Sequence, residues 1–147
     1  FFVFIFFGLI AVSGTYFLQR GVFSFESLLL GIAIGSLSTA ILIVNNIRDV
    51  EEDTKSGKRT LAVRFGISFV KFEYVVMFLV SLIIPVILSV YWSNKVSLYL
   101  VYFLSPIALR LLLSIFSSKG AALNKVLEGT SKFLFFYSLM ISLSIIL

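Results

Sequence analysis

The sequence predicts an all-α membrane protein with five transmembrane helices. Apolar residues occupy 60% of its 147 positions, charged residues occupy 13%, and the mean hydropathy is +1.12. Soluble domains are closer to ~45–50% apolar and ~25% charged, so this composition is that of an integral membrane chain. The apolar runs are as long as membrane helices and lack the polar/apolar alternation of a lipid-facing barrel strand.

Five apolar runs account for the predicted helices in chain order. A helix needs about 20 residues to cross a hydrocarbon core of ~30 Å. We place the spans at about residues 1–18, 27–46, 70–90, 96–117 and 130–147 of one transmembrane domain. The uninterrupted apolar part of the last run starts only at Phe133, so we expect its helix to begin earlier, near Leu127, or to continue past Leu147.

The first run is predicted to be a membrane helix rather than a signal peptide. No basic residue precedes the apolar run that opens at Phe1, and no small-residue cleavage site follows it. Because the chain starts with phenylalanine inside an apolar run, we expect it to be a piece of a longer protein that is cut just inside a membrane span. Further N-terminal helices of the same protein are therefore expected as partners.

The second run carries small residues on one helical face. Gly31, Gly35 and Thr39 recur at every fourth position, which predicts a stripe along which other helices approach closely. We expect some of those helices to lie outside the 147 residues. The same face continues into polar residues from Asn45 onward, so this end of the helix is expected to face a cavity.

Basic residues predict the orientation. Ten of the twelve lie in or beside the connections after the second and fourth spans, and the exceptions are Arg20 and Lys95. The positive-inside rule places the crowded connections in the cytoplasm, so we predict a multi-pass protein of the cell (inner) membrane in the lipid bilayer. Loops that face anionic headgroups explain the net charge of +5, and no nucleic acid is expected as a partner.

Residues 45–60 are the one strongly charged run. The chain has no cysteine and no histidine, which excludes thiolate nucleophiles, imidazole bases and the usual zinc ligands. If the second helix continues past Val44, Asp49 and Asp53 project from one face about one turn apart and can share divalent ions. Mg²⁺ suits such a site, because it takes one or two protein carboxylates together with phosphate oxygens and water.

Cations follow the two aspartates in the sequence. Gly57 can end the helix, and Lys58 and Arg64 then supply positive charge for phosphate oxygens. The alternative is an ordinary solvated loop whose mixed charges keep it out of the bilayer. Asn45 and Asn46 favour the binding site, because amides at the membrane edge of a helix are costly unless they line a polar cavity.

The same residues resemble a known motif. The string NNIRDVEEDTKSGKRTLAVRFG, residues 45–66, is similar to the second aspartate-rich motif of the UbiA-type intramembrane prenyltransferases. Within that superfamily it looks most like the 1,4-dihydroxy-2-naphthoate polyprenyltransferase branch. Residues 14–16 and 123–130 add further similarity.

The resemblance implies a bundle of nine transmembrane helices, of which this chain holds the C-terminal five. It implies that Asp49 and Asp53 are the catalytic pair and hold Mg²⁺ on a prenyl diphosphate. It also implies four residues that bind the diphosphate beside the metal: Asn46, Arg48, Lys58 and Arg64. The family's first aspartate-rich motif has no counterpart in this sequence, so the chain carries half of the implied metal site.

The implied reaction is prenyl transfer to 1,4-dihydroxy-2-naphthoate. The allylic C–O bond of the prenyl diphosphate ionises, the naphthoate ring attacks, and the carboxylate is lost to give demethylmenaquinone. One alternative keeps the superfamily and changes the aromatic acceptor. Another is a non-catalytic membrane transporter segment, although transport usually places ionisable residues deep within spans, and here almost all of them lie in loops.

Overall fold

The computed structural model describes residues 1–93 and 95–147 as a bundle of five long helices. No strand occurs among these residues. The elements, in chain order, are α1, Phe4–Arg20; α2, Phe25–Arg48; α3, Val50–Lys55; α4, Leu61–Phe65; α5, Ile67–Tyr91; α6, Val96–Ser117; and α7, Leu123–Ile146. The predicted all-α membrane fold class is therefore confirmed.

Four of the helices are long and apolar enough to cross a membrane. These are α2, α5, α6 and the segment Gly120–Ile146, which is α7 with the turn before it, whereas α1 is apolar but shorter. The last helix begins at Leu123, before the predicted span at residue 130 and about one turn before the earlier start expected near Leu127. Polar residues there lie on the helix instead of in a loop, and Glu128 pairs with Lys132 one turn later, with 2.6 Å between Oε1 and Nζ.

Glycines hold α1 against α2. A Cβ atom added to Gly8 would lie 2.4 Å from the Gly31 carbonyl oxygen, and one added to Gly35 would lie 2.7 Å from the Phe4 carbonyl oxygen. Neither distance leaves room for a methyl group, so the two backbones touch. The predicted close approach is confirmed. Within the chain, α1 covers the stripe at Gly31 and Gly35. The expectation that some further helices outside the 147 residues also pack on α2 stays a prediction.

A buried aromatic ladder joins α5 to α7. Tyr74, Phe78, Phe133 and Tyr137 follow one another with ring centroids 4.9, 5.1 and 6.1 Å apart. The Tyr74 hydroxyl shares a 2.8 Å hydrogen bond with Thr130, and the Tyr137 hydroxyl donates to a backbone carbonyl of α5 at 2.6 Å. Because α5 and α7 also pack on α2, the ladder fixes the start of α7 beside the end of α2.

Candidate functional site

The two aspartates lie where α2 gives way to α3. Asp49 is the single residue between the two helices, and helical hydrogen bonding continues across it, since the Asp53 N–H donates to the Asp49 carbonyl at 2.8 Å. The structure therefore brings the two residues to the predicted spacing of one helical turn.

Asp49 is held by its neighbour Arg48. The guanidinium donates to both carboxylate oxygens, from Nε to Oδ1 at 2.6 Å and from Nη2 to Oδ2 at 2.8 Å, a paired geometry that is strong and directional. These hydrogen bonds lower the pKa of Asp49, so its carboxylate is ionised at neutral pH. The side chain remains 27% exposed and is therefore accessible to a ligand.

Two asparagines position the Arg48 guanidinium. Nη2 donates to Asn45 Oδ1 at 2.6 Å, and Nη1 donates to Asn124 Oδ1 at 3.0 Å. Asn45 lies one turn earlier on α2, but Asn124 lies on the first turn of α7, 76 residues from Arg48. Asn124 is not predictable as a site residue from sequence spacing, because spacing within one segment cannot reveal a contact between distant helices. The one indication in the sequence is that Asn124 lies within residues 123–130, a stretch that also resembles the family.

A tight turn at Gly57 directs Lys58 back to Asp53. The Lys58 N–H donates to the Asp53 carbonyl at 2.9 Å, and the Gly57 N–H donates to the Thr54 carbonyl at 3.3 Å, which together form a Schellman motif. Gly57 has a φ of +73°, a left-handed conformation that glycine adopts without a Cβ penalty. The prediction that Gly57 ends the helix is confirmed.

The same turn builds an ion pair on Asp53. The Lys58 Nζ lies 3.0 Å from Asp53 Oδ1, and this hydrogen bond raises the pKa of Lys58. The Asp53 side chain is only 7% exposed, while that of Lys58 is 68% exposed. The other carboxylate oxygen of Asp53 accepts no hydrogen bond from the part of the chain that the structure describes, so it is free to accept one from a ligand.

The other two predicted diphosphate ligands, Asn46 and Arg64, are not hydrogen-bonded to either aspartate in the described residues. Asn46 is half-buried on α2. Arg64 is exposed on α4, and its guanidinium carbon lies 5.3 Å from the centroid of the Phe65 ring. The structure thus brings Arg48 and Lys58 into hydrogen-bonding contact with the aspartates, and it shows no such contact for Asn46 and Arg64 among the described residues.

A cavity of about 470 Å³ opens beside Asp49. It adds two lysines that the sequence analysis used only for orientation, Lys71 from α5 and Lys119 from the α6–α7 connection. Six charged residues line it: Arg48, Asp49, Glu51, Glu52, Lys71 and Lys119. Three cations face three carboxylates, so an anion with several charges needs accompanying cations to bind here.

The carboxylate oxygens of the two aspartates are suitable ligands for Mg²⁺. No group of three or more carboxylate, histidine or cysteine side chains among the described residues is placed to hold a metal ion. Mg²⁺ bound to a substrate's phosphates needs only one or two protein carboxylates, and Asp49 and Asp53 supply two. Arg48 and Lys58 neutralise the pair here, so direct metal contact requires these cations to move toward another anion.

The chain is similar to curated proteins named 1,4-dihydroxy-2-naphthoate octaprenyltransferase. It is 36% identical over 129 residues to the one from Mycobacterium leprae, covering 87% of this chain and 43% of that protein. With the one from Haemophilus influenzae it shares 50% identity over 64 residues, covering 44% and 21%. Mouse UbiA prenyltransferase domain-containing protein 1 is 32% identical over 126 residues, covering 86% and 36%. The chain thus spans less than half the length of these relatives.

The family assignment covers nearly the whole chain. No solved structure gives a significant match. The sequence pattern described as the UbiA prenyltransferase family matches residues 1–140, a stretch that includes both aspartates and the start of α7. Since this match and the identity to the M. leprae protein both agree with the resemblance seen in residues 45–66, the chain belongs to the UbiA prenyltransferase family.

Proposed function

We propose that this chain takes part in polyprenyl transfer from prenyl diphosphate to 1,4-dihydroxy-2-naphthoate, with loss of the carboxylate to give demethylmenaquinone. The observation that carries the proposal is the 36% identity, over 87% of the chain, to a protein named 1,4-dihydroxy-2-naphthoate octaprenyltransferase. Another aromatic acceptor is the second candidate, because the name of the similar mouse protein specifies none.

Asp49 and Asp53 are the residues that would hold Mg²⁺. The bound ion would offset the negative charge that develops on the departing diphosphate, which favours cleavage of the allylic C–O bond. Support for this role comes from the one-turn spacing of the aspartates and from the ionised state of Asp49. The nearly balanced charges of the neighbouring cavity also favour binding of a diphosphate together with cations.

Arg48 and Lys58 would bind the phosphate oxygens. Both side chains already lie against the aspartates, so a short movement carries each from carboxylate to phosphate. Asn45 on α2 and Asn124 on α7 accept hydrogen bonds from the Arg48 guanidinium. These two contacts restrict the positions that the guanidinium can reach when it moves to a phosphate. Arg64 and Asn46 complete the set of proposed diphosphate ligands.

The proposed location is the cell (inner) membrane, with the loop of α3 and α4 in the cytoplasm. A multi-pass membrane protein suits a substrate with a long hydrocarbon tail, because the tail can stay among the helices or in the bilayer. A water-soluble naphthoate then reaches the charged end from the cytoplasm. The excess of basic residues around this end supports the orientation.

A prenyl-transfer assay tests the function. Because the chain spans 43% of the M. leprae relative, it is expressed alone and together with the portion of that protein outside the match, which the resemblance implies is N-terminal. Membranes are given labelled prenyl diphosphate, Mg²⁺ and either 1,4-dihydroxy-2-naphthoate, 4-hydroxybenzoate or homogentisate. We expect product only in the co-expression and with the naphthoate.

Two outcomes would change this view. Transfer only to one of the other acceptors would replace the naphthoate as substrate. Failure to transfer to any acceptor, in membranes where both parts are inserted and co-purify, would contradict the proposed function of the chain.

A further inference from the structure

A second cavity lies between α6 and α7, and its rim is basic. This α6–α7 groove has a volume of about 400 Å³. Charged residues on its walls are Arg110 from α6 and Lys125, Glu128 and Lys132 from α7. It is distinct from the cavity beside Asp49, although Ser118 borders both.

The floor of the groove is apolar and closely packed. A Cβ atom added to Gly129 would lie 2.7 Å from Leu111 Cδ2, so the two helices meet there. Leu111 and Val126 are 7% and 3% exposed. The cavity thus combines an apolar floor, where the two helices touch, with charged residues on its walls.

The positive charge of the groove is largely uncompensated. Among the described residues, the side chains of Arg110 and Lys125 make no hydrogen bond or ion pair. Lys132 pairs with Glu128 at 2.6 Å, but both side chains are about two-thirds exposed, and such surface pairs are weak. Three cations and one carboxylate leave the walls with a net charge of about +2, in contrast to the balanced cavity at Asp49.

The charged residues lie inside the two membrane helices. Arg110 precedes the end of α6 at Ser117 by about two turns, or about 10 Å at ~1.5 Å per residue. Lys132 follows the start of α7 by about 14 Å on the same basis. The headgroup layer on each side of a bilayer is about 5–8 Å thick, and long basic side chains reach up into it. Ile107, an exposed apolar residue of α6, also lines the groove.

We propose that the α6–α7 groove binds the headgroup phosphate of an anionic phospholipid. Arg110 and Lys125 contact the phosphate, Lys132 lies at the rim, and the acyl chains follow the apolar surface around Ile107. Basic pockets between membrane helices recognise anionic headgroups in this way. A prenyl diphosphate shares the phosphate and the hydrocarbon tail, but it binds with metal ions, and Glu128 is the only carboxylate on these walls.

Native mass spectrometry of the chain in detergent micelles tests the proposal. The protein is titrated with phosphatidylglycerol or phosphatidylcholine. The groove variant Arg110→Gln/Lys125→Gln is compared with Arg20→Gln/Lys55→Gln, which removes the same charge outside the groove. We expect phosphatidylglycerol to bind about tenfold more tightly than phosphatidylcholine. The groove variant is expected to lose most of that preference, and the control variant is expected to keep it.

Several results would overturn the proposal. These are equal losses in both double variants, no preference for phosphatidylglycerol in the unmodified chain, and displacement of the lipid by inorganic diphosphate at equal concentration. If the groove variant fails to fold, Glu128→Gln decides the matter. It removes the only carboxylate from the walls, so tighter phosphatidylglycerol binding supports the site, and unchanged or weaker binding refutes it.

Discussion

Asp49 and Asp53 have different surroundings although one helical turn separates them. Asp49 is partly exposed, and its two carboxylate oxygens accept hydrogen bonds from Nε and Nη2 of Arg48. Asp53 is nearly buried and accepts one hydrogen bond from the exposed ammonium group of Lys58. Each negative charge is thus balanced in the structure by a cation, which in the proposed function moves to a phosphate. Either aspartate can release its cation without leaving a buried charge unpaired, provided that a metal ion takes its place.

Replacing either aspartate with asparagine is expected to lower prenyl transfer by about 10²–10³-fold while the protein still folds and inserts. The amide keeps the shape of the carboxylate but not the charge that binds Mg²⁺. Turnover is measured at limiting Mg²⁺ in the co-expressed enzyme. Glu26→Gln, which removes a carboxylate at the other end of α2, is the control and should retain activity. Near-normal turnover of Asp53→Asn would show that Asp53 is not a metal ligand.

Asn124→Ala is expected to raise the KM for the prenyl donor several-fold with a smaller change in kcat. The substitution removes the acceptor that holds Arg48 Nη1, so the guanidinium loses its orientation for phosphate binding. Asn124→Asp restores an acceptor and should recover much of the affinity. Ser131→Ala, an exposed change on the same helix, serves as the control. An unchanged KM for Asn124→Ala would contradict a positioning role.

Local parts of the site were predictable from sequence, and long-range parts were not. The spacing of Asp49 and Asp53 and the turn at Gly57 follow from helix geometry and from the glycine's freedom at positive φ. Asn124 and Lys71 reach the site only through the packing of α5 and α7 on α2. No periodicity within residues 45–60 encodes that packing.

At the scale of elements, the close packing of α1 on α2 depends on glycines, which have no side chain where the two backbones touch. Hydropathy alone placed both helices, and the small-residue stripe correctly indicated a close contact. Hydropathy did not show that α1 supplies the partner surface, because the matching residue, Gly8, is a single glycine in a run of large apolar residues. Similarly, the polar residues near the start of α7 led to a predicted start near Leu127 or at residue 130, whereas the helix begins at Leu123.

Gly8→Ala is expected to destabilise the fold by about 1–3 kcal/mol. The added methyl group would meet the backbone of α2 at 2.4–2.7 Å, so the helices must separate. Gly14→Ala is the matched control on the same helix, because nothing lies within 4 Å of its added Cβ. That change should be neutral or slightly stabilising. Unfolding in mixed micelles measures both, and equal stabilities of the two variants would refute the close contact.

At the scale of the whole molecule, charge is divided unevenly between the two ends of the bundle. The end that carries α3 and α4 holds the aspartates, both cavities described above and most of the basic residues. The opposite end has Arg20 and Lys95, and there the Lys95 ammonium donates to the Ile145 carbonyl at 2.6 Å. This asymmetry underlies the predicted orientation.

A cysteine at Lys55 should react with an impermeant maleimide only in inside-out vesicles. The chain has no cysteine of its own, so a single Lys55→Cys change gives an unambiguous signal. Arg20→Cys, at the opposite end and also exposed, should react from outside intact cells. Labelling of Lys55→Cys from outside would reverse the proposed topology.

Two contacts of the candidate site, one that holds Asp53 and one that positions Arg48, differ in when they can form during synthesis. Lys58 is five residues from Asp53, so this turn can close soon after the segment leaves the ribosome, since short loops close within about 100 ns. The bond from Arg48 to Asn124 spans 76 residues and must wait until α5, α6 and α7 have been inserted. The turn from Asp53 to Lys58 can therefore form early in synthesis. The Arg48 side chain gains its hydrogen bond to Asn124 only after α7, the last helix, has been made. A nascent chain halted before α7 would already hold its lysine on Asp53 but would leave Arg48 without its second asparagine.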